Sequence, residues 1–171
     1  MLDTKILEEL QEYLEINLAV IMEKEIILYN SQESMDYDSV MESISPIEIE
    51  MFINNKRQPT LQDVLFKMID KKGATDAEIY KKAGMDRRLF SKIRSNPKYR
   101  PSKNTVLALA LALELNKKET DKLLSSAGYS LSDSDTSDLI IQFCIEKKIY
   151  NILQVNHALD YFSMKPLSGV L

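Results

Sequence analysis

Cysteine, histidine and tryptophan are almost missing from this sequence: 171 residues contain one Cys, one His and no Trp. A lone Cys144 cannot form an intramolecular disulfide, and Cys144 and His157 together are too few for a cysteine- and histidine-based metal cluster. They lie on different predicted helices, where each is expected to fill a helix face rather than to act in catalysis. No glycine-rich phosphate loop appears either. We therefore expect no enzyme activity, no cofactor and no metal.

Residues that break helices are also scarce, with four glycines and five prolines among many Leu, Ile, Lys, Glu and Ala residues. This balance predicts an all-α fold. No apolar run reaches the roughly 18 residues of a membrane span, and the start of the chain is amphipathic and acidic rather than basic and then apolar. A cytoplasmic protein without membrane contact is expected, and the single cysteine suits a reducing compartment.

Charge is distributed very unevenly along the chain. Residues 1–55 carry 2 basic and 13 acidic side chains, for a net charge of -11. Residues 56–105 carry 14 and 5, for +9, and residues 106–171 carry 6 and 8, for -2. A basic block inside an acidic protein is typical of a surface that meets phosphate, although a solvated lysine-rich helix surface gives the same pattern.

Eight of the expected helices follow from local start and stop signals. Ser45, Pro46 and Glu48 predict a short helix to about Asn54, with Ser45 as its cap and Glu48 reaching back to the cap amide. The strict Leu/Ala alternation from Leu107 to Leu113 has the period of a strand, yet Ala and Leu are strong helix formers and β-branching is nearly absent, so a helix is predicted. The remaining helices are predicted over residues 61–72, 75–83, 87–95, 103–115, 116–127, 136–147 and 151–162.

An apolar stripe runs along the predicted first helix, through Leu7, Leu10, Leu14, Leu18 and Ile21. It either lies on the main domain or pairs with its copy in a second chain. Asp3 or Thr4 can cap this helix, residues 25–29 are ambiguous between helix and strand, and the polar, acidic stretch Asn30 to Ser45 is interpreted as a linker.

The predicted helices 75–83 and 87–95, two short helices joined by a tight glycine turn with a basic second helix, are the parts of a helix-turn-helix. The string from Thr75 to Asn116, TDAEIYKKAGMDRRLFSKIRSNPKYRPSKNTVLALALALELN, resembles the Cro and phage-repressor class, often called the XRE family. The resemblance covers about a third of the chain and is carried by Thr75, Ile79, Gly84, Met85, Asp86, Phe90, Ile93, Arg100, Pro101, Ser102, Leu109, Ala110 and Leu113.

The resemblance implies a five-helix repressor-like helix-turn-helix domain over residues 56–128. An acidic N-terminal helical arm and linker, residues 1–55, precede this domain. A C-terminal helical extension of two helices, residues 129–171, is expected to pack on it.

Several residues depart from the repressor pattern. Such proteins usually have Gln where this chain has Asp76, a small Ala where it has Tyr80, and Glu where it has Arg94. Ala108 and Leu111 stand where relatives are commonly charged, so the fourth helix of the domain is expected to pack against the C-terminal helices.

Helix 87–95 is predicted to enter a DNA major groove, because Phe90 and Ile93 share an inner face and the basic residues lie opposite. The predicted base contacts are Arg87, Arg88, Ser91 and Lys92. The predicted phosphate contacts are Thr75, Arg94, Lys98, Arg100 and Lys103.

The expected function is that of a DNA-binding transcriptional regulator, with RNA as a possible substitute for DNA. It would act as a homodimer or with a protein partner bound through the N-terminal arm. The alternative is an interaction or adaptor protein that uses the helix-turn-helix fold as a scaffold.

Overall fold

The computed structural model describes residues 4–29 and 45–167, with side chains described for 4–20 and 45–167. In these two ranges the secondary structure is helical throughout, with no strand. The helices are α1 (Thr4–Tyr29), α2 (Pro46–Lys56), α3 (Leu61–Lys72), α4 (Asp76–Lys82), α5 (Arg87–Ser95), α6 (Lys103–Ala112), α7 (Lys117–Ser126), α8 (Thr136–Glu146) and α9 (Ile152–Tyr161). The all-α prediction is confirmed.

Side-chain caps set most of the helix starts, as the sequence predicted. Asp86 accepts a hydrogen bond from the amide of Arg88, Ser102 from Thr105, and Asn116 from Glu119. Each cap satisfies one of the amide groups that a first helical turn leaves without a partner. The predicted starts at Thr75, Asp86, Ser102 and Asn116 are therefore confirmed.

Two details of the predicted helices are wrong. Ser45 stands before α2, but its side chain makes no cap hydrogen bond, so the predicted capping box with Glu48 does not form, and the helix continues past Asn54 to Lys56. α6 ends at Ala112 rather than Leu115, because Glu114 adopts a left-handed conformation with φ 51°. The amides of Glu114 and Leu115 then bond back to Leu111 and Ala110 and close the helix.

α6 is the central helix of the fold. Every residue from Val106 to Ala112 is buried, and the helix contacts α4, α7 and α9. Ala108 and Leu111 are each 1% exposed. The predicted contact of this helix with the C-terminal part of the chain is confirmed by α9, and burial on all sides explains why its sequence shows no helical periodicity.

α1 lies on α8 of its own chain. Leu10 and Leu14 are buried, and the ring of Tyr13 meets that of Phe143 edge-on with centroids 5.6 Å apart. Lys147 Nζ lies 2.5 Å from Glu9 Oε2. The apolar stripe on α1 therefore packs on its own chain at Leu10 and Leu14, which is the first of the two alternatives. Leu18 is 39% exposed, and the side chain of Ile21 lies outside the described residues. Residues 25–29 continue the helix; Asp3 and residues 30–44, most of the predicted linker, also lie outside the described part.

Candidate nucleic-acid interface

α4 and α5 are joined by a tight turn that begins at Ala83. The amide of Met85 bonds to the carbonyl of Tyr80 at 2.9 Å, and the amide of Gly84 to that of Lys81 at 3.1 Å. Gly84 has φ 60°, a left-handed conformation that costs glycine little because it has no Cβ. The carboxylate of Asp86 then accepts from the amide of Arg88 at 2.6 Å and starts α5.

The inner face of α5 is anchored by two apolar side chains. Phe90 and Ile93 are each 2% exposed. The ring of Phe90 lies with its centroid 6.0 Å from those of both Phe66 on α3 and Tyr80 on α4. The bulky Tyr80 is thus a packing partner of α5, and the inward orientation predicted for Phe90 and Ile93 is confirmed.

The outer face of α5 presents all four predicted base-contact residues to solvent. At 100° per residue, they span an arc of about 140° on the side opposite Ile93. Lys92 Nζ lies 4.2 Å from the ring centroid of Tyr99, a contact that orients its side chain along this face. Tyr99 was not predicted as part of the site, although an aromatic residue between two prolines in a basic loop was a possible signal. The four exposed residues are Arg87, Arg88, Ser91 and Lys92.

Thr75 has no free hydrogen-bond donor. Its hydroxyl lies 3.0 Å from Oε2 of Glu78 and accepts from the Glu78 amide, and its own amide donates to the same carboxylate at 2.7 Å. These bonds hold the pKa of Glu78 below its usual value, with the Thr75 amide as the main cause. The capping box with Glu78 therefore occupies the hydroxyl and the amide of Thr75, which are the two donors that the predicted phosphate contact needs.

Arg94 is bound to Asp76, which lies in the first turn of α4. Arg94 Nε is 2.6 Å from Asp76 Oδ2, and its Nη2 is 2.7 Å from Oδ1, so the pair is bidentate. The hydrogen bond that Arg94 donates to Asp76 raises the pKa of Arg94. The guanidinium also lies over the ring of Phe66, 4.1 Å from its centroid. Asp76 and Arg94, which both depart from the repressor pattern, therefore form one ion pair. In the sequence, only their opposite charges indicated this pairing.

Arg100 and Lys103 also have partners inside the protein. Arg100 donates from Nε to the carbonyl of Ala127 at 2.7 Å and from Nη2 to that of Gly128 at 3.0 Å, and so binds the end of α7. Lys103 Nζ lies 2.5 Å from Asp138, whose side chain is 5% exposed. These contacts tie the loop before α6, through Arg100, and the first residue of α6, Lys103, to distant parts of the chain, and they argue against the predicted phosphate roles.

Among the described residues the side chain of Lys98 has no partner, since its backbone amide makes the contact with Asn96. Lys98 is exposed, like the four residues on the outer face of α5. The basic surface that remains for a nucleic acid, called here the α5 face, therefore consists of Arg87, Arg88, Ser91, Lys92 and Lys98.

The single cysteine and the single histidine of the sequence lie on α8 and α9. Burial raises the pKa of the Cys144 thiol to about 12, which keeps it protonated and unreactive at neutral pH. His157 lies on α9, and its Nδ1 is buried without a hydrogen-bond partner within the described residues. Over the same residues no group of His, Cys, Asp or Glu has the arrangement of a metal site, and no helix is both long enough and apolar enough to cross a membrane.

No known protein family, curated protein or solved structure matches this chain.

Proposed function

We propose that the protein is a DNA-binding transcriptional regulator of the repressor-type helix-turn-helix class, with α5 as its recognition helix. The observation that carries the proposal is the two-sided character of α5. Phe90 and Ile93 fix one side of the helix to the core, while Arg87, Arg88 and Lys92 are exposed on the other. A helix held in this way can enter a major groove, which is about 12 Å wide.

The position of the two arginines supports base reading rather than general attraction to phosphate. Arg87 and Arg88 are the first two residues of α5, and the first turn of a recognition helix reaches base edges in helix-turn-helix proteins. A guanidinium can donate to both O6 and N7 of guanine. Lys98, in the loop after α5, is suited to the neighbouring phosphates.

Charge supports the same interface. The block 56–105 carries a net charge of +9 in a protein of net charge -4. Asp76 reduces the local positive charge at α4 by neutralising Arg94. We therefore expect the specificity of DNA binding to depend on the α5 face more than on a broad basic surface.

The test is fluorescence anisotropy of the full chain with duplex DNA from the region flanking its own gene, at two salt concentrations. Replacing Arg87 and Arg88 together with Ala should remove specific binding, at about 1 to 3 kcal/mol for each lost base contact. The matched control replaces Lys118 and Lys165, two exposed lysines on other elements, with Ala. Equal binding by the two double variants would contradict the proposal, and binding to an RNA of the same sequence but not to DNA would move the function to RNA.

The alternative of an interaction or adaptor protein is favoured by a different observation. α2 exposes five apolar side chains and buries none within the described residues, and exposed apolar residues at this density are typical of a surface that binds another molecule. Absence of binding to any duplex, with retained fold, would favour this second function.

A further inference from the structure

α2 is an apolar helix that no other described part of the chain covers. None of its residues is buried. Its exposed apolar side chains are 44% to 68% accessible and comprise Ile47, Ile49, Met51, Phe52 and Ile53. Exposed apolar residues at this density mark a surface that another surface covers.

The strongest apolar face of α2 is flanked by acid on both sides. With a 100° step per residue, Ile49, Phe52 and Ile53 fall within about 100° of one another. Glu48 lies beside one edge of this face and Glu50 beside the other. α2 therefore presents an apolar strip between two carboxylates.

A groove between α3 and α7 has the complementary character. Its volume is about 560 Å³. Its apolar floor is formed by Pro59, Val64, Met68 and Leu115, and four lysines against two carboxylates line it. The charged residues are Lys67, Lys71, Lys72, Lys122, Asp63 and Glu119. A groove lined by four apolar residues and by charged residues with a net charge of +2 matches an apolar strip with acidic edges.

The dimensions match as well. α2 has 11 residues and is about 16 Å long, and the groove follows α3, a helix of 12 residues, from Asp63 to Lys72. Reciprocal docking buries the apolar strip of α2 and its two flanking carboxylates twice, each time against the 10 residues that line a groove.

The segment between α2 and α3 directs α2 away from its own groove. Arg57 and Thr60 are extended, with ψ 124° and 164°. Gln58 precedes Pro59, which restricts it to extended conformations. Within the described residues α2 buries none of its side chains, so it does not occupy the groove of its own chain.

We infer that the protein forms a symmetric dimer in which α2 of each copy docks in the α3/α7 groove of the other. The exchange is reciprocal, so the same two surfaces are buried twice and no groove is left open. This interface does not depend on the proposed DNA binding, although a dimer would present two α5 faces to two half-sites.

The test uses two charge-reversal variants of the full chain. Variant one carries Glu48→Lys and Glu50→Lys on α2, and variant two carries Lys67→Glu and Lys71→Glu on the groove. Each variant alone places like charges opposite one another, so light scattering should find the wild type dimeric and each variant monomeric, with the affinity of the dimer lowered at least about tenfold. The control, Lys118→Glu with Lys165→Glu, should remain dimeric, and circular dichroism should show unchanged helix content in all of them.

Mixing the two variants is the decisive step. In a mixed dimer the reversed α2 meets the reversed groove, and the native α2 meets the native groove, so a one-to-one heterodimer should form. Docking of α2 within its own chain gives no such rescue. A monomeric wild type, variants that stay dimeric, or a mixture that stays monomeric would each overturn the inference. None of these readouts involves DNA, so failure here is distinguishable from failure of the proposed function.

Discussion

Asp76 on α4 and Arg94 at the end of α5 form a bidentate ion pair across the two helices that are proposed to engage DNA. Both side chains are partly exposed, at 36% and 52%, so the pair contributes modestly to stability. Its larger effect is on the interface, because it occupies a guanidinium close to the α5 face. The protein thus has fewer free cations at this surface than its sequence suggests.

Asp76→Asn should release Arg94 and strengthen general DNA binding. One additional phosphate contact steepens the dependence of log K on log salt by about one unit. The measurement is anisotropy with random-sequence duplex across a salt series, and Asp121→Asn, an exposed acid on α7, is the control. An unchanged salt slope would mean that Arg94 does not reach phosphate even when it is free.

Leu10→Ala should destabilise the protein by about 2 to 5 kcal/mol, because Leu10 is 1% exposed between α1 and α8. Leu18→Ala should cost about 0.5 kcal/mol, since Leu18 is 39% exposed. Urea unfolding of both variants measures the difference. Equal losses would show that α1 is not packed on α8 as described, and neither substitution should alter the oligomeric state.

The helix starts were predictable from the sequence because each depends on residues within one turn. Thr75, Asp86 and Asn116 each bond to an amide two or three positions later. The partners of Arg100 and Lys103 were not predictable, since they lie 27 to 35 positions along the chain. A charged residue in a basic loop has the same sequence signal whether it binds phosphate or a distant carbonyl.

For a related reason, the sequence alone did not decide which surface covers the apolar stripe on α1. Periodicity identifies the face that is buried but not the surface that buries it. Leu10 and Leu14 pack on α8, more than a hundred positions away, and only the tertiary structure brings the two helices together. For α5, helical periodicity alone predicts the inner and outer faces. The four base-contact candidates therefore lie on the same outer face.

Arg100→Lys should lower the stability of the protein, whereas Lys98→Ala should affect DNA binding instead. Lysine keeps the charge of Arg100 but cannot donate in the same fork to Ala127 and Gly128, so unfolding free energy should fall by about 1 to 3 kcal/mol. Lys98→Ala should leave stability unchanged and weaken DNA binding. Thermal unfolding and anisotropy on both variants check this, and a loss of DNA binding in Arg100→Lys at full stability would restore Arg100 as a phosphate contact.

Cys144 should react slowly with a thiol reagent in the native protein. Its pKa of about 12 leaves about one thiol in ten thousand ionised at pH 8, and the side chain is 1% exposed. Unfolding in urea restores an ordinary pKa and exposes the sulfur, so the labelling rate should rise by orders of magnitude. A native rate close to the unfolded one would show that α8 opens readily.

Base reading by α5 is tested most directly by selection of binding sites from a random duplex pool. The wild-type full chain should enrich a defined motif, with guanines at positions that depend on Arg87 and Arg88. The variant with both arginines replaced by Ala should enrich no motif while its fold, followed by circular dichroism, is unchanged. Enrichment of the same motif by both proteins, or of none by the wild type, would contradict the claim that α5 recognises DNA.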